Sequence, residues 1–166
     1  MQRILSRPLL AAAILGAAAG GAAAQSAPLP YGEPIAVAKA AQIAAAAEAE
    51  SRKNGWFMAI AIVDPAGNLV HFHRMDNTQT GSINVAIGKA KSAVLFRRPT
   101  KVFQDLLAQG SNFSYLLAID GAVPVQGGIP LVIDNRIVGA VGISGGSGSD
   151  DSVVADAAVR SMNAPR

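Results

Sequence analysis

Positions 56–75 of the chain read WFMAIAIVDPAGNLVHFHRM. Trp56–Val63 is an almost unbroken apolar run, which is typical of a β-strand that is covered on both faces. Asp64–Asn68 contains a proline and a glycine, which favour a turn, and Leu69–Met75 follows as a returning strand. The stretch therefore predicts a β-hairpin, around which the other elements are arranged.

A second hairpin is predicted near the C-terminus. Ile129–Ile133 and Arg136–Ser144 are apolar runs joined by Asp134-Asn135, a pair that suits a tight two-residue turn. Gly139 and Gly142 interrupt the second run. Glycine inside a strand indicates the close approach of another backbone or of a ligand.

Four helices are predicted around the hairpins from apolar periodicity and from end signals. They cover Ile35–Lys53, Ser82 to about Phe96, Thr100–Gln109 and Asp150 to about Met162. Ser82 and Thr100 are predicted N-caps. Residues 111–120 are assigned to no regular element, with Tyr115–Ile119 as a candidate helical turn. The order α-β-β-α-α-β-β-α predicts an α+β domain, with helices packed on one antiparallel sheet of about five strands.

The first 24 residues are predicted to be an export signal. Two arginines precede the apolar run Leu9–Leu15, and the small-residue cleavage pattern Ala22-Ala23-Ala24 follows it. The run is too short to span a membrane, which takes about 20 residues. We therefore expect a periplasmic or secreted protein without membrane contact after cleavage. Residues 25–34 would form an extended leader and residues 35–166 a single domain.

The composition limits the chemistry. The whole chain has 14 basic and 11 acidic residues, and removal of the two signal arginines leaves 12 basic residues against 11 acidic ones. This near balance gives no indication of nucleic-acid binding. The absence of cysteine excludes disulfides, thiolate metal ligands and cysteine nucleophiles.

Both histidines of the chain lie on the second strand of the first hairpin. The two-residue period of a strand predicts one face with Leu69, His71, His73 and Met75 and another with Val70, Phe72 and Arg74. Two imidazoles flanked by leucine and methionine predict one wall of an apolar pocket. His71 and His73 lie roughly 6.5–7 Å apart along the strand. They approach from one side, so a bis-histidine haem site would need a second subunit.

Six segments in order carry a family resemblance: residues 61–70 (AIVDPAGNLV), 74–76 (RMD), 82 with 88–90 (S, GKA), 96–100 (FRRPT), 126–130 (QGGIP) and 138–146 (VGAVGISGG). Together they resemble the GlcG/HbpS-like haem-binding family over essentially the whole chain after the leader. The resemblance implies a homo-oligomeric α/β domain, exported in some members. Some members bind haem and are linked to its breakdown, and others accompany small-acid or diol catabolism.

Haem binding requires an apolar slot, an axial ligand and cations for the propionates. His71 or His73 is the expected axial ligand, and Met75 is a further candidate. The candidate cations for the propionates are Lys89, Lys91, Arg97, Arg98 and Lys101. The alternative is that each imidazole is only hydrogen-bonded on a half-exposed sheet face.

Two other kinds of site remain open. The same-side spacing of His71 and His73 also suits a divalent metal such as Zn²⁺, with Asp76 as the nearest carboxylate. Arg74, Asp76 and Lys89 could instead bind a small organic acid, because arginine recognises a carboxylate with two hydrogen bonds. Arg74 and Asp76 could equally form an ion pair that only holds the loop.

Ser82, Gly127 and Gly128 complete the candidate ligand pocket, since backbone N–H groups at glycines can bind an anion. The sequence thus predicts an exported haem-binding protein that assists haem handling or breakdown. The alternatives are a small-carboxylate-binding accessory enzyme or sensor and a purely structural partner protein. Whether the chain is an enzyme is left open, because no nucleophile motif is present.

Overall fold

The structure, a computed structural model, describes residues 27–163. The predicted export signal, residues 1–24, lies outside this range and stays a prediction. Among the helices of residues 27–163, none combines the length and the apolar character that a membrane span requires.

The elements follow the predicted order. They are α1 (Val37–Lys53), β1 (Ala59–Val63), β2 (Leu69–Arg74), α2 (Gly81–Leu95), α3 (Lys101–Ala108), a 3-10 helix (Ser111–Ala118), β3 (Gly128–Ile133), β4 (Arg136–Ser144), α4 (Gly148–Arg160) and a short 3-10 helix (Ser161–Asn163). The α+β class is confirmed. The first 3-10 helix occupies the segment to which the sequence assigned no regular element.

The sheet has four antiparallel strands in the order β2-β1-β4-β3, so the prediction of about five strands was slightly too high. Part of the leader comes nearest to a fifth strand, because Tyr31 forms a single parallel bridge with Ile137. Pro30 and Pro34 flank this bridge. A proline has no N–H to donate, and the ladder therefore does not extend.

Helices cover both faces of the sheet. On one face α1 and α4 pack against each other and against apolar side chains such as Ile60, Ile62 and Val141. On the other face α2 packs through alanines against Ala59, Ala61 and neighbouring strand residues. All five residues of β1 are buried as a result, which confirms that this apolar run is a strand covered on both faces.

The glycines inside β4 allow backbones to meet, as their position in a strand predicted. A Cβ at Gly139 would collide with the carbonyl oxygen of Val63, and a Cβ at Gly142 would collide with that of Ala86. These contacts bring β1 and α2 close to β4. No ligand is needed to explain either glycine.

Candidate functional site

The two histidines lie on an edge strand and face the α1 layer. In the ladder His71 is opposite Ile62 and His73 is opposite Ile60, and both isoleucines belong to the core formed with α1 and α4. Each imidazole is half-buried. We call this half-exposed surface of β2 the histidine face.

The predicted alternation of β2 holds only in part. Phe72 packs on the α2 side of the sheet, whereas Met75 packs with the α1 core, as expected for the opposite face. Val70 packs against this same α1 core because the ladder shifts register between Ile62 and Val63. Such a bulge inserts an unpaired residue and disturbs the strict two-residue period.

His73 contacts a carboxylate that the sequence analysis did not select. Its Nε2 lies 3.2 Å from Oε2 of Glu48 on α1, and the two groups form an ion pair when the imidazole is protonated. Nε2 is itself buried and has no hydrogen-bond partner among the described residues. The His73 side chain nevertheless keeps 37% of its surface exposed.

Glu48 is held in place by Arg52. The Oε1 atom of Glu48 accepts hydrogen bonds from Nη2 of Arg52 at 2.6 Å and from Nε at 2.9 Å. The Arg52 hydrogen bond is the main cause that lowers the pKa of Glu48, and the nearby His73 adds to the effect while burial opposes it. Glu48 is therefore a fixed carboxylate anion near neutral pH.

His71 has no comparable neighbour. Within residues 27–163, none of the side-chain hydrogen bonds or ion pairs involves its imidazole, whereas that of His73 is in contact with Glu48. His71 therefore presents an imidazole whose ring nitrogens remain for solvent or for a ligand.

Met75 lies in the core rather than on a pocket wall. It is 4% exposed, and its sulfur accepts a hydrogen bond from the backbone N–H of Met58 at 3.4 Å. The thioether is thus occupied inside the chain. The structure leaves the two imidazoles as the ligand candidates on this strand.

Lys89 is buried, although the sequence offered it as a cation for haem propionates or for a small organic acid. It is 1% exposed, and its Nζ donates to Oδ2 of Asp151 at 2.6 Å and to the carbonyl oxygen of Ile143 at 3.0 Å. Burial raises the pKa of Asp151, although the hydrogen bond from Lys89 opposes this rise. Because its amine already serves Asp151, Lys89 is not available to hold a small acid or a propionate.

Three other members of the predicted ligand pocket are buried, namely Ser82, Gly127 and Gly128. Ser82 is not an N-cap, since α2 begins at Gly81, and its buried Oγ has no hydrogen-bond partner in the described part of the chain. The backbone N–H of Gly128 donates to Oγ1 of Thr100, and the carbonyl of Gly127 accepts from Ile143. The N–H of Gly128 is therefore already used within the fold.

Arg74 and Asp76 are exposed, and none of the ion pairs in residues 27–163 joins them. The predicted loop-holding pair is thus not formed. Residues 27–163 also contain no group of three or more histidine, aspartate and glutamate side chains that could hold a metal ion. His71, His73 and Asp76 therefore do not form the divalent-metal site that their spacing suggested.

The remaining candidate cations lie on or beyond α2, which covers the opposite face of the sheet from the histidines. Lys91 is exposed, Arg97 stacks on Tyr31 with its guanidinium 5.4 Å from the ring centre, and Lys101 pairs with Asp105. Arg98 stacks on Phe103. Arg52, the partner of Glu48, is a cation on the same side of the sheet as the histidine face.

A cleft of about 320 Å³ opens next to the loop that follows β2. Its lining residues are Gly55, Trp56, Phe57, Asn77, Gln79, Gly145 and Gly146. The backbone N–H of Gly146 donates to Oδ1 of Asp151 at 3.1 Å, so the buried Lys89–Asp151 pair also fixes one wall of the cleft. The sequence pattern did not predict this cleft, although the polar loop and the glycines that line it are present in the sequence.

We predict that Lys89→Met lowers the free energy of unfolding by about 3–5 kcal/mol, because it leaves the Asp151 carboxylate buried without its partner. Urea unfolding measures the effect. Lys91→Met is the matched control on the same helix, and its exposed side chain should change stability by less than about 0.5 kcal/mol. Equal stability of the two variants would contradict the importance of the buried pair.

Known proteins resemble this chain over the whole predicted domain. The sequence model of the family described as "Haem degrading protein HbpS-like" matches residues 35–160. Protein GlcG of Escherichia coli K12 is 36% identical over 105 residues, which cover 63% of this chain and 77% of GlcG.

Two solved structures share the fold. A double mutant of HbpS from Streptomyces reticuli superposes with a TM-score of 0.72 at 30% identity, over 93% of this chain and 100% of that one. A PduOC:haem complex has a TM-score of 0.72 at 26% identity, over 78% of this chain and 96% of that one. The family match spans most of the chain and confirms the resemblance found in the sequence. The chain therefore belongs to the HbpS-like haem-degrading protein family.

Proposed function

We propose that this protein binds haem at the histidine face of β2. The observation that carries the proposal is the pair of half-buried imidazoles, His71 and His73, on one face of an edge strand. Two imidazoles in this position offer nitrogen ligands to a haem iron. Membership of the HbpS-like family and the haem bound to PduOC support the same ligand.

The surroundings of the histidines suit a flat apolar group with charged edges. Leu69, which begins β2, is 49% exposed, and the part of α1 before Glu48 is rich in alanine and carries no acidic side chain. Arg52 and Arg74 are exposed guanidinium groups on α1 and β2, and such groups bind carboxylates. Bound haem would supply redox and oxygen chemistry, while these residues bind and orient it.

We propose further that a second copy of the chain completes the slot. β2 is an edge strand, so one side of the histidine face is open to solvent, and two histidines on one side cannot both ligate a single iron from opposite faces. The segment after α3 supports self-association. Its exposed apolar side chains include Tyr115, Leu117 and Ile119, which are 56%, 69% and 36% exposed. Exposed apolar patches of this kind are typical of interfaces.

Export through the segment 1–24 is also a proposal. A charged start, an apolar run and a small-residue cleavage pattern support it. Haem handling or breakdown outside the cytoplasm would be the corresponding role.

The cleft beside the β2–α2 loop supports a second candidate function, the binding of a small organic acid. Asn77 and Gln79 provide amide donors there, and Trp56 and Phe57 provide an apolar wall. This candidate no longer includes Lys89, because that amine is paired with Asp151. The cleft and the histidine face are lined by different residues, so variants separate the two functions.

A hemin titration followed by absorbance tests the main proposal. We expect the wild-type protein to sharpen and shift the Soret band, and the variant with both His71→Ala and His73→Ala to lose this change. Gln79→Ala, in the cleft, is the control and should retain it. A Soret change that survives in the double variant would contradict the proposed site. An unchanged wild-type spectrum, with thermal stabilisation by glycolate that Gln79→Ala removes, would favour the second candidate instead.

Light scattering coupled to size-exclusion chromatography tests self-association. The wild-type chain should elute as an oligomer, and Leu117→Lys should lower its molar mass because it places a charge in the exposed apolar segment. Val37→Lys, at a position that is 64% exposed on α1, is the matched control. A monomeric wild type, or an equal response of both variants, would oppose the proposal.

Export predicts a specific mature N-terminus. Mass spectrometry of the protein recovered from the periplasm or the medium of an expressing bacterium should give a chain that begins at Gln25. Substitution of Ala22 and Ala24 by bulky residues should block this cleavage, since signal processing requires small side chains. Recovery of only the uncleaved chain in the cytoplasm would refute export.

A further inference from the structure

Glu48 faces one particular nitrogen of His73. Its Oε2 atom lies 3.2 Å from Nε2 of His73, and this nitrogen is buried. Within residues 27–163, no other carboxylate pairs with either imidazole. Two hydrogen bonds from Arg52 to Oε1 hold the carboxylate of Glu48 in position. A fixed negative charge therefore lies beside Nε2.

This contact selects one tautomer of the neutral His73 ring. A neutral imidazole carries a proton on one nitrogen and a lone pair on the other. A lone pair on Nε2 would face the negatively charged oxygen of Glu48 across 3.2 Å and would be repelled by it. A proton on Nε2 instead faces a charged acceptor, which gives a stronger interaction than a neutral one. The proton therefore belongs on Nε2 and the lone pair on Nδ1.

Nδ1 of His73 is the nitrogen that stays open to a ligand. It makes none of the side-chain hydrogen bonds of residues 27–163, and it is not among their buried atoms that lack a partner. Nδ1 is therefore in contact with solvent, on a side chain that keeps 37% of its surface exposed. His71 has no carboxylate partner in the described part of the chain, so neither of its tautomers is selected in this way.

We infer that Glu48 is a positioning residue for a haem ligand, because it keeps the proton of His73 on Nε2 and presents the lone pair of Nδ1 to the iron. The inference rests on the haem-binding function proposed above and adds a residue to it. A carboxylate that accepts the second N–H of a metal-bound imidazole orients the ring and makes it a stronger donor. Glu48 should therefore raise the affinity for ferric haem and lower its reduction potential.

The tautomer is measured in protein without hemin. Nitrogen-15 magnetic resonance at about pH 8.5, where a free imidazole is neutral, distinguishes the protonated ring nitrogen from the unprotonated one. His71→Asn leaves the signals of His73 alone in the spectrum. In this background we expect the Nε2–H tautomer, and the addition of Glu48→Ala should increase the share of the Nδ1–H tautomer. An unchanged share would overturn the inference.

Hemin binding and the reduction potential are then compared between variants. Glu48→Ala should weaken the binding of ferric hemin by about tenfold or more, the usual cost of removing such an outer partner, and should make the potential more positive. Glu48→Gln should give intermediate values, because its amide oxygen still accepts the N–H but carries no charge. Glu50→Ala is the matched control, since Glu50 lies on the same helix and pairs with Lys53, and it should behave like the wild type.

The His73→Ala background separates an effect through His73 from a general effect of the charge or of the fold. This background still offers His71 to hemin. If Glu48 acts through His73, adding Glu48→Ala to His73→Ala should change neither the affinity nor the potential any further. Circular dichroism checks that each variant is folded, and Glu48→Gln replaces Glu48→Ala if the latter is not.

The outcomes separate the inference from the function beneath it. If the wild-type protein binds no hemin at all, the proposed function fails. If the wild type binds hemin but the Glu48 variants leave the affinity and the potential unchanged, the function stands and the inference is overturned. The same conclusion follows if the effect of Glu48→Ala persists at full size without His73.

Discussion

The pairing of β1 with β4 is the interaction on which the rest of the structure depends. Five consecutive residue pairs, from Ala59 with Ser144 to Val63 with Ala140, join the two hairpins into one sheet. Gly139 and Gly142 make it compatible with close packing, since a Cβ at either position would collide with a neighbouring carbonyl. This central pairing makes β2 and β3 the edge strands. The histidines therefore lie at the border of the sheet, where a ligand or a second chain can reach them.

The helices around the sheet carry two separate groups of polar side chains. On the α1 side, Arg52, Glu48 and His73 form a connected set at the surface. On the other side, Lys89 leaves α2 and reaches Asp151 of α4 beside Gly127, so one buried ion pair links helices that cover opposite faces. A buried pair of this kind gives little net stability but costs much when one partner is removed. Asp151 of this pair also accepts a hydrogen bond from the backbone N–H of Gly146. Because Gly146 lines the cleft, this bond links the buried pair to the cleft wall.

Much of the fold was predictable from local sequence because both hairpins and all four helices have clear periodicity and end signals. The strand Arg136–Ser144 was predicted with its observed ends, and the first helix was predicted to end at Lys53, as observed. Lys89 was a wrong candidate for a ligand cation because α2 is buried over a wide arc that includes it. Small side chains such as Ser82, Ala86 and Ala93 let the sheet approach. The partner Asp151 is 62 residues away, and spacing along one helix cannot reveal it. The same holds for Glu48, whose contact with His73 depends on how α1 packs over β2.

The central claim is that haem binds at the histidine face, and nuclear magnetic resonance tests it most directly. The chain contains two histidines, so protein labelled with nitrogen-15 at histidine alone gives imidazole signals from His71 and His73 without overlap from other residues. If haem binds at the histidine face, paramagnetic hemin should broaden or shift both sets of signals, since both rings would lie beside the iron. Hemin that is bound according to its absorbance but leaves both imidazoles unchanged would contradict the account.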